Sequence, residues 1–545
     1  MSGAKRTTVF VREATGLVRE ISPYQLMFFN FLTAPIVTTI MWSLNWDPNL
    51  FPGFDWNTGL LIIGLLAVPM YLTYAIVYTA FPKTGTDYVF QSRILNPGIG
   101  FAATFAAWVF FQFWYISLNG ISIVQMFLMP WLFEVAQATN NASYAALANT
   151  LVQPNSLAIL SFVTVIVAGL IVMGGIRLYL RVQTVLFIFA LAATVALLAL
   201  MATTSNPAFI SNLNAAIGNT IGSPDAYHKV ISTAQSEGVN LSPPVTLYAS
   251  IGAMVTPWTF ALEWTVFGNL GLCGEMKTAN QLKTQMFTML GALFLVVLGL
   301  FAAYNLFIGM TGQTFWNAAA TLAWNGDALF GKLPGIFNAQ PASFVLLYGT
   351  NNLVLGTAWA VGGAIAIFAT NFTIYMLVSR MLFAQTFDGL FPSKLAHITE
   401  RTRTPVYIMV IMIIAACAWT YGVLYYGSTL STYLASTQFI ISFAIILTMI
   451  GAIVFPLRMK QHFDQSPARK YRMATIPLAI LGIFVNLVII YYLFTVPALL
   501  AVTPQSEGLI IGIFVAGLVY YFAVFAYRKS TGINIGQAFK EIPPD

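Results

Sequence analysis

Long apolar runs alternate along this chain with short polar and basic stretches. A helix satisfies its own backbone in hydrocarbon and needs about 20 mostly apolar residues to cross a bilayer. Runs near that length predict twelve membrane-spanning helices, and the predicted fold class is all-α integral membrane. The spans lie at about residues 22–46, 58–80, 101–130, 157–175, 182–202, 247–272, 286–311, 352–379, 405–427, 432–456, 474–497 and 508–527.

The spans predict one helical bundle with two long loops. Residues 203–246 and 312–351 lie between spans, and each stretch is near or below the size of about 40 residues at which a domain folds unaided. We therefore divide the chain into an N-terminal segment (1–21), a first group of five spans (22–202), a loop (203–246), a second group of five (247–456), a two-helix hairpin (457–527) and a tail (528–545).

The composition excludes a soluble protein. Charged residues make up 8% of the chain against about 25% in soluble domains, and apolar residues 58% against about 45–50%. Such a chain cannot cover a globule with polar surface. Soluble enzymes, nucleic-acid binders and disordered scaffolds are therefore excluded.

Basic residues collect on one side of the predicted bundle. With alternating spans, only Lys229 and Lys332 of the 24 Lys and Arg residues fall opposite the N-terminus. Cytoplasmic loops attract Lys and Arg. We therefore expect a multi-pass cell-membrane protein with both termini in the cytoplasm.

One acidic residue lies well inside an apolar run. Of the 17 acidic residues, all but Glu263 fall in predicted loops or at span ends; Glu263 lies in the sixth run, TPWTFALEWTVFGNLGL. A carboxylate near the bilayer centre costs roughly 2.5–3.5 kcal/mol unless it faces a cavity, a partner or a proton. No predicted span supplies a Lys, Arg or His. Glu263 indicates either a site for an amine, a cation or a proton, or a protonated acid that joins two helices.

Two spans carry helix-breaking residues. In FFNFLTAPIV of span one, Pro35 removes a backbone donor, and Thr33 is placed to cap a restarted helix. In span six, Pro257 and Gly268 flank Glu263. A restarted half-helix points free N–H groups at mid-membrane, where they suit a carboxylate. Spans one and six correspond in two five-span halves, and paired interruptions indicate the central site of a transporter.

Three stretches between spans carry a family resemblance. They are FPKTGTDYVFQSRILNPGIGF (81–101), GGIRLYLRVQTVL (174–186) and SRMLFAQTFDGLFPSKLAHITERTRTPVY (379–407). Together they resemble the amino acid-polyamine-organocation (APC) superfamily, in which similar Pro-x-x-Gly-x-x-Tyr and Arg-x-x-x-Ala-x-x-x-Asp-Gly-x-x-Pro patterns occupy these loops. The resemblance covers roughly residues 15–460.

The resemblance implies a leucine-transporter-like architecture. Residues 22–202 and 247–456 would form two inverted five-helix repeats, followed by two C-terminal helices, with spans one and six unwound around the substrate. The family's glycine-containing stretch corresponds to residues 32–36, which lack glycine, and this departure bears on carboxylate recognition. Trp258 and Trp264 are either aromatic lids or core residues. The residues implied to bind substrate are Thr33, Ala34, Pro35, Ile36, Trp258, Ala261, Leu262, Glu263, Trp264 and Thr265.

The resemblance also implies residues for ion coupling. Some members use a Lys in span five, but the matching position near Ala190 has none, which disfavours that mode. Glu263 is the candidate for a proton. Thr370 and Thr373 on span eight either meet a sodium ion together with span-one carbonyls or bond to their own helix. Proton coupling, sodium coupling and uncoupled exchange stay open.

A third group of residues is implied at the inner mouth of the transporter. Asp388, with Arg380 or Arg93 as its partner, is assigned to gating or folding there rather than to substrate contact.

These features predict a secondary active transporter of amino acids or related amines that works by alternating access. A channel or substrate sensor built on the same bundle is the alternative, and accumulation against a gradient separates the two. We expect neither an enzyme nor a cofactor or metal site, because the only histidines, His228, His397 and His462, lie far apart in loops. The expected partners are the substrate, a proton or sodium ion and the bilayer, not nucleic acid. Asn141 and Asn240 begin glycosylation sequons.

Overall fold

The computed structural model describes residues 19–331, 341–399, 401–426, 438–496 and 503–543, and its regular elements there are helices. The first span consists of α1 (Pro23–Thr33) and α2 (Ile36–Leu50). The helices of the next part of the chain are α3 (Trp56–Ala80), α4 (Thr86–Ile94), α5 (Pro97–Phe105), α6 (Gln112–Ser122), α7 (Met129–Thr139), α8 (Ala142–Leu151), α9 (Pro154–Met173), α10 (Ile176–Ala202), α11 (Asn206–Ile221) and α12 (Ala226–Ser236).

The sixth predicted span is divided into short helices. It contains α13 (Leu247–Gly252), α14 (Val255–Phe260), a 3₁₀ turn (Leu262–Val266) and α15 (Phe267–Leu272). The helices that follow are α16 (Leu282–Thr311), α17 (Gln313–Trp324), α18 (Ala328–Gly331), α19 (Pro341–Thr350), α20 (Leu353–Phe387), α21 (Val406–Tyr425), α22 (Gln438–Arg458), α23 (Lys460–Gln465), α24 (Arg472–Thr495) and α25 (Pro504–Ser530).

Eleven helical stretches in the described part of the chain are long and apolar enough to cross a membrane. They match the predicted spans other than the sixth, whose pieces are each too short. The third stretch runs from Pro97 to Thr139, beyond the predicted end at residue 130. The two predicted loops contain helices, α11 and α12 in one and α17 to α19 in the other. Residues 1–18, Lys332 and the predicted span ends at 427, 432 and 497 lie outside the described residues.

Local sequence determines where the first helices begin. At the start of α1, Ser22 and Gln25 form a capping box in which each side chain accepts a hydrogen bond from the other residue's backbone N–H. Pro23 occupies the first helical position, where its missing N–H costs nothing. Asp55 caps α3 by accepting from the N–H of Asn57 at 3.0 Å.

Contacts between connecting segments define two faces of the bundle. On the terminal face, which holds residues 19–22 and 531–543, long-range hydrogen bonds run from Arg177 to Glu20, Arg458 to Leu95, Arg528 to Gly389 and Arg93 to Glu541. On the opposite, distal face, they run from Asn206 to Met310, Asn212 to Gly349 and Asn317 to Leu241.

Candidate substrate site

The first span breaks at Ala34 and Pro35. Ala34 leaves the helical region, with φ −112° and ψ 71°, and Pro35 is the N-cap residue of α2. The predicted cap by Thr33 is wrong, because the Thr33 hydroxyl instead donates to the Phe29 carbonyl of its own helix at 2.7 Å. α2 therefore begins after Pro35 without a side-chain cap.

The break leaves backbone donors at the start of α2. Its first intrahelical hydrogen bond runs from the N–H of Thr39 to the Pro35 carbonyl at 3.1 Å. The N–H groups of residues 36–38 precede that bond and have no partner within the helix. Free N–H groups and the positive end of a helix dipole are both favourable to an anion.

The sixth span breaks at Ala261. Ala261 has φ −143° and ψ −55°, and the 3₁₀ turn that follows carries Glu263. Pro257 and Gly268 lie within α14 and α15, so the break falls between the two predicted positions. The Leu262 carbonyl, at the start of this turn, accepts a hydrogen bond from the Tyr71 hydroxyl of α3.

The two broken spans border one small cavity. It has a volume of about 40 Å³ and is lined by Thr33, Pro35, Thr38, Thr39, Trp42, Tyr115, Leu118, Asn119, Ser122, Phe260, Trp264, Ile367 and Thr370. Sites for small molecules usually hold about 300–1,000 Å³. The cavity is therefore smaller than a usual small-molecule site.

The third span contributes a distorted stretch to this cavity. Two π-helical turns, Ala106–Phe110 and Ile123–Leu128, flank α6, which carries the lining residues Tyr115, Asn119 and Ser122. Single π turns inside α-helices occur frequently at functional sites.

The predicted substrate residues divide into two groups. Thr33, Pro35 and Trp264 line the cavity, and Ala34 and Ile36 belong to the break beside it. The remaining predicted residues are buried but do not line the cavity: Trp258, Ala261, Leu262, Glu263 and Thr265.

Glu263 lies behind the cavity wall. Its side chain is fully buried, and its Oε1 accepts a hydrogen bond from Nε2 of Gln438 at the start of α22. Gln438 Oε1 in turn accepts from the hydroxyl of Tyr115 at 3.4 Å. A hydrogen-bonded chain therefore connects the cavity to the acid through Tyr115 and Gln438. Glu263 Oε2 has no hydrogen-bond partner among the described residues, and the indoles of Trp258 and Trp264 flank the carboxylate.

Aromatic rings hold Trp264 against the cavity. Its ring packs edge-on against Tyr115, with centroids 4.4 Å apart, and stacks on Phe267 at 4.4 Å. Its indole N–H donates to the Thr259 carbonyl at 2.5 Å. Three contacts thus fix the orientation of this side chain.

The two predicted hydroxyls of span eight, on Thr370 and Thr373, have different hydrogen-bond partners. Thr370 lines the cavity and donates to the Leu32 carbonyl at the end of α1, at 3.1 Å. Thr373 donates to the Thr370 carbonyl of its own helix at 2.8 Å. Of these two hydroxyls, it is that of Thr370 that donates a hydrogen bond to the broken first span.

A buried amide network supports the terminal-side halves of both broken spans, and sequence analysis missed it. Asn30 Oδ1 accepts from the N–H of Gly268 at 2.7 Å, and Asn30 Nδ2 donates to Asn269 Oδ1 at 2.9 Å. Asn269 Nδ2 donates to Gln285 Oε1 and Thr288 Oγ1 on α16 at 2.7 and 2.8 Å. Carboxamides within apolar runs were the available signal, because buried amides need partners.

Two ion pairs lie buried at the terminal face. Asp388 pairs with Arg93, with 2.5 Å between Oδ2 and Nη1. Arg93 is one of the two partners that the sequence predicted. Arg380 pairs instead with Glu275, at 2.7 Å, because both lie where α20 meets the end of the sixth span. Glu275 was not among the predicted site residues.

A further acid on this face, Asp87, was also missed. Its carboxylate accepts hydrogen bonds from Tyr78, Gln91, Trp108 and Thr448. Burial raises the pKa of Asp87 to about 6 although these hydrogen bonds lower it. The described residues contain no group of three or more His, Cys, Asp or Glu that could hold a metal ion.

These helices indicate a multi-pass α-helical membrane protein, and the two breaks border a small cavity within it. A family model described as amino acid permease matches residues 52–520. The match covers most of the chain, so the protein belongs to the amino acid permease family and is a transporter rather than an enzyme. The resemblance to APC superfamily transporters is thereby confirmed. No curated protein matches the chain.

Proposed function

We propose that this permease is a secondary active transporter that carries an amino acid or a related amine by alternating access, with the substrate bound between the first and sixth spans. One observation carries the proposal: the breaks at Ala34–Pro35 and Ala261 border a single cavity also lined by α6 and α20. Paired broken helices around a central site are typical of transporters whose halves are inverted repeats. We assign those repeats to residues 22–202 and 247–456.

The substrate carboxylate would bind at the start of α2. The unpaired N–H groups of residues 36–38 adjoin Pro35, Thr38 and Thr39, which line the cavity. The break is made by Pro35, so these donors are present although the segment lacks glycine. Trp264 would cover the substrate from the opposite side.

Glu263 would supply the negative charge that takes up a coupled proton or pairs with an amino group of the substrate. It reaches the cavity through Gln438 and Tyr115, so rotation of Tyr115 would open a path between the acid and the substrate. A buried carboxylate with an unpaired oxygen favours uptake of a cation or a proton. We therefore place proton coupling first.

Sodium coupling is the second candidate, supported by one contact. The Thr370 hydroxyl lies 3.1 Å from the Leu32 carbonyl, so a span-eight oxygen and a span-one oxygen meet beside the cavity. The excess of Lys and Arg on the terminal face supports a cytoplasmic location for that face in the cell membrane.

Reconstituted uptake tests the proposal. Labelled amino acids and amines are offered to the wild type and to Glu263→Gln, with pH and sodium gradients imposed separately. Accumulation against the substrate gradient is expected for a transporter, since a channel cannot drive it and a sensor only binds. Glu263→Gln should lose the pH-driven component, whereas Glu507→Gln, a partly exposed acid on the distal face, should retain it. Normal pH-driven uptake by Glu263→Gln would reduce Glu263 to a structural role.

A further inference from the structure

Glu134 is a buried acid that the substrate site does not use. It lies on α7, near the distal end of the third span, and its side chain is 4% exposed. Both carboxylate oxygens are buried and make no hydrogen bond with any residue that the structure describes. Burial of an ionised carboxylate without a counter-charge or donors is strongly unfavourable. The group therefore requires a ligand that cancels its charge.

The carboxyl group occupies a space that a glycine provides. A Cβ atom on Gly356 would lie 2.5 Å from Glu134 Oε2 and 2.8 Å from Oε1. The acid thus rests directly on the backbone near the start of α20. Beside it, the indole N–H of Trp131 donates to the Thr357 hydroxyl at 2.8 Å, which joins α7 to α20.

The surroundings favour a proton over a metal cation. Among the residues that the structure describes, the titratable group that faces Glu134 is the phenol of Tyr348 on α19. The sequences of α7, α8 and α19 and the preceding π turn contain no other Asp, Glu, Lys, Arg or His, and neither do the first turns of α20. Cations such as Mg²⁺ and Ca²⁺ require several oxygen ligands. The positive end of α20 lies near the acid, but a helix dipole offsets only a fraction of the desolvation cost.

The helix that seals Glu134 also covers the distal end of the first span. The N–H of Ala342 on α19 donates to Asn45 Oδ1 of α2 at 3.1 Å. On the other side, Phe344 of α19 packs against Phe133, with ring centroids 6.0 Å apart. With α19 packed in this way, Glu134 is 4% exposed.

We propose that Glu134 is a proton-binding residue of the distal gate, neutral while α19 is packed and ionised when α19 moves away and admits water. On opening, the carboxylic O–H bond breaks and the proton passes to water of the distal side; on closing, the same bond forms again. The inference rests on the proposed function, because alternating access is what opens this gate.

Infrared spectroscopy of the full-length protein in nanodiscs at neutral pH tests the protonation directly. The wild type minus Glu134→Gln difference spectrum should contain a carbonyl band of a protonated carboxylic acid. The same subtraction with Glu507→Gln should not contain it. A Glu134 difference spectrum that shows only carboxylate bands would overturn the proposal.

A second variant keeps the test valid if Glu134→Gln does not fold. Gly356→Ala retains Glu134 but places a methyl group where its carboxyl group lies. The carbonyl band assigned to protonated Glu134 should therefore shift or disappear in the spectrum of this variant. An unchanged band would show that the protonated acid lies elsewhere and would overturn the assignment.

Uptake separates this inference from the proposed function. Transport by Glu134→Gln should lose part of its dependence on distal-side pH, whereas Glu507→Gln should keep all of it. A wild type that shows the band but transports neither amino acids nor amines contradicts the proposed function and leaves the proton site standing. A wild type that transports but lacks the band contradicts this inference alone.

Discussion

The guanidinium of Arg93 donates two parallel hydrogen bonds to the carboxylate of Asp388, from Nη1 to Oδ2 at 2.5 Å and from Nη2 to Oδ1 at 2.8 Å. Both side chains are almost fully buried, and the Tyr88 hydroxyl donates a third bond to Oδ2 at 2.8 Å. The guanidinium also lies over the ring of Phe539, 5.2 Å from its centroid. The pair therefore joins α4, the end of α20 and the C-terminal segment.

Removal of one member of this pair should destabilise the protein. Asp388→Asn leaves Arg93 buried without its counter-charge, which costs about 3–5 kcal/mol. The control is Glu20→Gln, which removes an exposed ion pair with Arg177 worth about 0–1 kcal/mol. Thermal unfolding in detergent should give a much lower midpoint for Asp388→Asn than for Glu20→Gln, and equal midpoints would contradict the account.

The two span-eight threonines should respond differently to the same substitution. Thr370→Val removes the hydrogen bond to the Leu32 carbonyl and a hydroxyl from the cavity, whereas Thr373→Val removes only a bond within α20. A hydrogen bond of about 1 kcal/mol corresponds to roughly a fivefold change in uptake. Initial rates of uptake should fall by about that factor for Thr370→Val alone. Equal effects would remove Thr370 from the site.

Tyr115→Phe should reproduce part of the effect of Glu263→Gln. The substitution keeps the ring against Trp264 but removes the hydroxyl that reaches Gln438. Because both changes interrupt one chain, Tyr115→Phe alone should lose part of the pH-driven uptake that Glu263→Gln loses. Tyr421→Phe, at a ring that is 50% exposed, is the control. Full pH-driven uptake by Tyr115→Phe would show that the Tyr115 hydroxyl has no part in the path to Glu263.

Asp87 should make stability depend on pH. Burial raises its pKa from 3.8 to about 6, so the folded protein binds more protons than the unfolded chain between these values. The contribution of Asp87 to stability is therefore fully present below the unfolded pKa and falls as pH rises through about 6, by up to about 3 kcal/mol. Asp87→Asn should flatten this part of the midpoint-against-pH curve, and Asp464→Asn, a partly exposed acid on the same face, should not. An unchanged curve for Asp87→Asn would exclude Asp87 as its source.

The features that sequence predicted are those set by local chemistry. Apolar length identified eleven spans as helices, and Pro35 located the break in the first span. The break in the sixth span was expected around Glu263, but its position at Ala261 depends on tertiary contacts. One of these is the bond from Tyr71 to the Leu262 carbonyl, which no local pattern encodes.

Partnerships across the bundle were harder to predict. The sequence predicted either Arg380 or Arg93 as the partner of Asp388. Arg93 is the partner because α4 packs beside the end of α20. The sequence predicted that the third span ends at residue 130, which places Glu134 in a loop. In the structure the helix continues to Thr139 and the acid is buried. Burial of a polar residue depends on what covers it, and α19 comes from a distant part of the chain.

The central claim is that substrate binds where the first and sixth spans are broken. An experimental structure of the full-length protein in nanodiscs, with a transported amino acid bound, tests it most directly. The account predicts ligand density between Pro35 and Trp264, with the carboxylate within hydrogen-bond distance of the N–H groups of residues 36–38. A ligand bound elsewhere, or a first span that continues as one helix through Ala34, would contradict it.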